Sequence, residues 1–325
     1  MKTSTWLGIG VAVTALWLVA LIAVWNRKQP VRVSTPDRPS VPAAFDPSDH
    51  GYAGWQACSE CHAKRVDEFR ETRHFQAIRL AERAEFPKGF SEGSNVFEPR
   101  DSPVRFEMSA QSSGATISTL PVNSTRLERA VSQVDFIYGS GAGTDEVYFT
   151  RRGDALYELP AVWLHHQECW GTSPFDPHGT GDFARPLAPQ CLECHNTWID
   201  YHRGTLNEYG KLEPQLLGVT CERCHGPAKS HADFHRSHPD ERVAAHIVRP
   251  KTLSRDRQMD LCAQCHTNAV RYRRPPFSFR AGEDLAQYFR ILEMRYPEDD
   301  RVANQTRYLK ESRCYQRSET LTCIT

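Results

Sequence analysis

The longest apolar run comes first. From Trp6 to Trp25 the chain reads WLGIGVAVTALWLVALIAVW, twenty residues without a charged side chain. At about 1.5 Å per residue a helix of that length matches a hydrocarbon layer roughly 30 Å thick. Tryptophan at both ends suits the membrane interface. A cleaved export signal is the rival reading, but its apolar stretch would be shorter and followed by a small-x-small site. The following VWNRKQP offers none. Residues 1–5 are then a short tail and 6–25 a transmembrane anchor. Residues 26–50 form a linker whose five prolines and few large apolar side chains favour an extended spacer. Lys2 on one side, and Arg27, Lys28 and Arg32 on the other, leave the orientation open.

Beyond residue 50 the patterning changes. His74, Ile78 and Ala81 fall at i, i+4 and i+7, which predicts a helix over 64–85 with His74 on its apolar face. The stretch VDFIYGSGAGTDEVYFTRRGDALYELPAVWL is rich in Val, Tyr, Phe and Leu and broken at GSGAG and RRGD. It predicts a small antiparallel meander over about 134–163, with strands near 134–139, 146–151 and 155–163. Helical patterns return at 281–294 and 301–314. The expectation is a mainly α fold with long loops and one small β meander over residues 51–325, preceded by one N-terminal transmembrane helix.

Composition changes this picture in one respect. Only 39% of the 325 residues are hydrophobic, and 21 prolines and 19 glycines are spread widely, so a large continuous apolar core is not expected. Something else must help fill the interior. Lys and Arg equal Asp and Glu at 40 each, which gives no net field to draw nucleic acid.

The filler is indicated by a recurring motif: CSECH at 58–62, CLECH at 191–195, CERCH at 221–225 and CAQCH at 262–266. The frequencies of 11 cysteines and 14 histidines predict about 0.02 chance occurrences of Cys-x-x-Cys-His, against four found. Two cysteines three apart on a tight turn can form thioethers to one porphyrin, and the next histidine reaches its iron. Paired zinc sites would use the cysteines but need no histidine after each pair. A disulfide framework would leave the histidines without a role. The expected cofactor is therefore haem c, covalently held by Cys58 and Cys61, Cys191 and Cys194, Cys221 and Cys224, and Cys262 and Cys265. The proximal ligands would be His62, His195, His225 and His266. The terminal CIT supplies Cys323 and two spacer residues. Cys323 is thus expected to open a fifth attachment motif, completed by Cys and His as the next two residues of the intact protein.

LGVTCERCHGPAKSHADFH at 217–235, SRCYQRSETLTCIT at 312–325 and YGSGAGTDEVYFTRRGDALYELP at 138–160 together resemble the periplasmic multihaem cytochromes c related to cytochrome c554. The nearest likeness is to bacterial relatives in which a haem domain precedes tetratricopeptide repeats. The resemblance implies distal iron ligands at His74, in ETRHFQA, and at His231, in GPAKSH, where Ala228 stands in place of the usual second glycine. His235 lies four residues past His231 and faces the same side if that stretch is helical. A surplus of histidine over four methionines argues for bis-histidine iron. His202, His238 and His246 are further candidates. His165 and His166 follow the meander, but neighbours cannot both point at one haem. Met259 is read as packing, and Cys169 and Cys314, outside every motif, as a possible disulfide or two free thiols.

The expected function is electron transfer by closely spaced haems, with redox proteins of a respiratory chain as partners. Thioether attachment places the haem domain on the periplasmic side of a bacterial inner membrane, held there as a single-pass protein. The rival class is a haem enzyme with one open iron position, acting on a small nitrogen or sulfur compound. No Cys-x-x-Cys-Lys variant supports it.

Overall fold

The computed structural model describes residues 50–325 apart from 113, 123–128, 142, 268–269 and 293–303. These belong to the unit Phe45–Thr325. The expected anchor at 6–25 and most of the linker lie outside the described residues, and among those described no helix is long and apolar enough to cross a membrane. The expectation of a mainly α fold is overturned. Among the described residues helix accounts for 29% and strand for 25%, and the strands form several antiparallel sheets.

The alternation that a half-buried strand requires is plainest where the meander was not expected. In β3 (Val104–Gln111) Val104, Phe106 and Met108 are buried while Arg105 and Glu107 face out. It pairs along its length with β4 (Gly114–Pro121), from Val104↔Pro121 to Gln111↔Gly114. Flanked by β2 (Val96–Phe97) and β5 (Ala130–Val134), these make a four-stranded sheet in the order β2-β3-β4-β5.

The predicted meander is present as β6 (Phe136–Tyr138), β7 (Glu146–Arg152) and β8 (Ala155–Leu164), but as the centre of a six-stranded sheet. β1 (Ile78–Leu80) lies beside β6, while β10 (Arg185–Pro186) and β9 (Cys169–Thr172) share the outer edge of β8. Between β7 and β8 the register slips from Val147↔Val162 to Phe149↔Glu158. Pro160 falls in that gap, and having no N–H it cannot carry the ladder across. Its carbonyl instead accepts from the Ser173 amide at 2.9 Å.

The two large sheets enclose one apolar cluster. Phe106, Met108, Ile117, Ile137, Tyr148, Leu159 and Trp163 are each at most 2% exposed within it. The opposite face of the six-stranded sheet turns Ile78, Phe136, Tyr138, Phe149 and Leu156 toward a second cluster that contains Leu192, Trp198, Leu216, Leu217 and Phe277. Leu192 lies inside the CLECH motif, so this sheet has an all-protein core on one face and a motif-bearing layer on the other. A third cluster surrounds Leu261 and Ala263 with Phe279, Leu285, Tyr288 and Phe289.

The motif-bearing half is built from short helices: α1 (Trp55–Arg70), α2 (Pro189–Glu193), α3 (Cys221–His225), α4 (Lys229–Ser237), α5 (Arg255–Ala263), α6 (Gln305–Glu311) and α7 (Arg313–Arg317). The helix expected over 64–85 stops at Arg70, and its remainder is a 3-10 turn at Phe75–Ala77, then β1. The i, i+4, i+7 pattern there was accidental: Ile78 belongs to a strand, where the period is 2. The helix expected at 281–294 is instead a 3-10 turn at Leu285–Gln287 and β12 (Phe289–Ile291), paired with β11 (Val270–Tyr272). The pattern at 301–314 survives as α6 and α7, divided at Ser312, whose extended backbone and side chain cap α7.

Phe106 is fully buried between the sheets. Phe106→Ala is expected to lower stability by about 3–5 kcal/mol through lost burial and the residual cavity. Denaturant titration should show that loss with haem content unchanged, because the motifs lie across the other sheet.

Candidate haem attachment sites

Each motif occupies one helical turn, which sets its two cysteines three residues apart on one face with the histidine just beyond. CERCH is itself α3, ended by Gly226 at φ +77°. CLECH closes α2, which opens with Pro189 at its first turn. CAQCH ends α5, where the His266 amide donates to the Cys262 carbonyl at 2.8 Å and Ser254 caps the other end. CSECH lies within α1, which breaks at His62 (φ −121°, ψ 31°). The break is sharp, for Arg70 returns to 4.8 Å from the Trp55 ring. Fifteen residues of straight helix would separate them by about 22 Å.

The four turns are brought together by pairs of thiols from different motifs. Cys58 lies beside Cys221, Cys194 beside Cys265 and Cys262 beside Cys323, close enough to couple electrostatically. Cys58 and Cys194 are raised above the ordinary thiol range, first by that neighbour and then by burial, while Cys221 and Cys265 are lowered by the same coupling. Burial pushes Cys224 up to about 11, and burial with Cys323 pushes Cys262 up to about 12. All eleven cysteines are free. Cys169 and Cys314 are exposed and not bonded to each other, so the disulfide considered for them is not made. Cys323 lies 3.9 Å from the Met259 sulfur, and the segment carrying it is fastened to α5 by Thr322 to Gln258 and Arg255 to the Leu321 carbonyl. Met259 itself is buried to 1% exposure, a packing residue.

The histidines fall into two groups. Burial, and then the neighbouring charges of His231, Arg65, His225 and His235, lower the pKa of His62. α4 puts His231 and His235 on one face with ring centroids 4.6 Å apart, and the buried Nε2 of His235 has no hydrogen-bond partner. The second group joins His266 to His74, whose ring lies 5.9 Å away and nearly perpendicular at 75°. His74 is thus brought to the fourth motif, on a 3-10 turn and not on the helix expected for it. His195 stacks on Tyr138 at 4.3 Å and 14°, with its buried Nδ1 unpartnered and its pKa lowered chiefly by burial.

These residues fit a porphyrin. The Nδ1 atoms of His225, His231 and His266 are held by the Val248 carbonyl (2.9 Å), the Ala245 carbonyl (2.7 Å) and Gln305 Oε1 (3.1 Å). That arrangement fixes each ring and leaves Nε2 as its free nitrogen, as metal-binding imidazoles require. Two imidazoles on one iron, with bonds of about 2.0 Å each, would set their centroids roughly 6 Å apart, the spacing of His74 and His266. Among the described residues no group of three or more His, Cys, Asp or Glu is placed to hold a bare metal ion.

The remaining candidates are engaged elsewhere. His202 stands 3.9 Å from Glu208, His165 lies 3.5 Å from buried Glu146, and His238 stacks on Phe234. His246 meets the Phe234 ring edge-on at a positive φ of 56°, and His166 is exposed. Sequence reasoning missed four side chains at the sites: Tyr138, and the residues between the cysteines, Glu193, Glu222 and Arg223. Glu222 is buried and accepts from the Ala53, Gly54 and Ala228 amides at 2.8, 2.9 and 2.8 Å, tying the entry of α1 to α3. The signal was present as charge within CLECH and CERCH, though charge alone does not reveal burial.

The family model for cytochrome c554 and c-prime matches residues 57–97 and 177–226. Those segments hold the first three motifs and His74, and they relate this chain to the cytochrome c554 family. One solved structure, the "Outer Cell Wall Cytochrome OcwA", aligns over 77% of this chain and 46% of its own length, at 16% identity and TM-score 0.46. The chain therefore spans less than half of that neighbour. No curated protein matches the chain.

Gly218 holds the approach of His74. Its φ is +78°, a Cβ there would meet the Phe75 carbonyl oxygen at 2.1 Å, and the adjacent Val219 amide donates to the His74 carbonyl at 3.0 Å. Gly218→Ala is expected to displace His74 and convert one haem from low to high spin in the absorption spectrum. Gly204→Ala, at φ +89° with no neighbour within 4 Å, should leave the spectrum unchanged and so separate crowding from backbone strain.

Proposed function

We propose that this protein is a periplasm-facing multihaem cytochrome that relays electrons through four bis-histidine haems. The observation that carries this reading is the gathering of the attachment turns: Cys58 lies near Cys221 and Cys194 near Cys265, while His74 stands 5.9 Å from His266. Turns that belong to separate porphyrins and lie beside each other impose the close spacing that a relay needs. When bound, haem supplies reversible one-electron chemistry at iron. The chain's own residues hold the group, orient its ligands and set the polarity around it.

The attachment residues are Cys58 and Cys61, Cys191 and Cys194, Cys221 and Cys224, and Cys262 and Cys265, with His62, His195, His225 and His266 as proximal ligands. His74 is the distal ligand opposite His266, supported by their ring spacing. His231 or His235 serves His62, supported by the cluster around that residue. The periplasmic location follows from where thioether attachment takes place, and the uncharged run 6–25 holds the module at the inner membrane. Partners are redox proteins of a respiratory chain.

Mass spectrometry of the chain made in a host competent for cytochrome c maturation should show four added haems, and colourless protein would refute the reading. His74→Ala should open one iron, so that the ferrous protein gains about one equivalent of carbon monoxide binding over a low-spin parent. A parent that already binds carbon monoxide would favour a haem enzyme with an open site.

A further inference from the structure

Two residues that attachment does not need are buried between motifs. Glu193, inside CLECH, is 1% exposed, and Arg223, inside CERCH, is 5% exposed. The carboxylate is held by neutral donors: the Tyr272 hydroxyl to Oε2 at 2.8 Å and the Phe277 amide to Oε1 at 2.7 Å. Arg223 Nη2 stands 3.6 Å from the same carboxylate, too far for a hydrogen bond, and Nε and Nη2 have no hydrogen-bond partner. The guanidinium carbon lies 5.8 Å from the Phe277 ring centroid, and its charge acts on the Cys265 and Cys194 sulfurs.

A buried ion pair of this kind is a poor source of stability, since desolvation cancels most of its attraction. Nor does the haem offer an anion here, because porphyrin carboxylates leave from the edge opposite the thioethers. What the arrangement achieves is directional. The anion is pinned on the Tyr272 side, and the field of the cation reaches the sulfurs of the second and fourth motifs, in surroundings where charge is weakly screened.

We propose that Arg223, oriented by Glu193, is the fixed positive charge that raises the reduction potentials of the haems attached through Cys194 and Cys265. The inference rests on the haem reading above. Reduction adds one electron and no proton, so a neighbouring cation stabilises the reduced state. Arg223 is a fixed charge acting through its field on the attachment sulfurs.

The test is a spectroelectrochemical titration of the haem-loaded protein. Arg223→Gln is expected to move the part of the curve belonging to two haems to lower potential, while Arg223→Lys, which keeps the charge, stays near the parent. Glu193→Gln is expected to shift the same part upward. Equal shifts in Arg223→Gln and Arg223→Lys, or no shift in a fully loaded Arg223→Gln, would overturn the inference. If Arg223→Gln does not accumulate with haem, Glu193→Gln decides: an upward shift supports the proposal and any other result overturns it. A parent without haem would instead refute the reading under Proposed function.

Discussion

The structure depends on one constraint: a single helical turn must present two thiols and an imidazole, and four such turns must meet. A turn of five residues has no core of its own, so each is held by neighbours. Glu222 fastens the third turn to the entry of the first through the Ala53 and Gly54 amides, and Glu193 fastens the second to the loop at Phe277. Carboxylates suit the task because a charged acceptor binds several amides strongly where a neutral one would bind one weakly. Burial costs each of them its hydration, and hydrogen bonds to the buried carboxylates offset that cost.

The six-stranded sheet divides the labour. Its alternating residues send one set of side chains into an all-protein core and the other set toward the motifs. The first face makes the body rigid without help from any cofactor. The second supplies Tyr138, which stacks on His195, and the short strand that follows His74. Low overall hydrophobicity is therefore unevenly spread: dense between the sheets, sparse around the attachment turns.

The local patterns were legible beforehand. Cysteine spacing and the following histidine mark the candidate attachment turns whatever surrounds them, and the strands of the meander were visible from β-rich runs separated by glycine. The four-stranded sheet was equally regular in Val104–Pro121 but was passed over, leaving the β content underestimated. The supposed helix around His74 failed because three apolar or histidine positions at helical spacing are a weak pattern. Strand pairing of Ile78 with Tyr138 and of Leu80 with Phe136 outweighed it.

By itself, then, the sequence determined which residues are candidates to bond a porphyrin, because five consecutive side chains make up that motif. Tertiary structure alone decided which motif lies against which, that His74 meets His266 from nearly two hundred residues away, and that Arg223 is a buried charge between two attachment sites. Those outcomes arise from long-range packing on the second face of a sheet, and no local pattern carries that information.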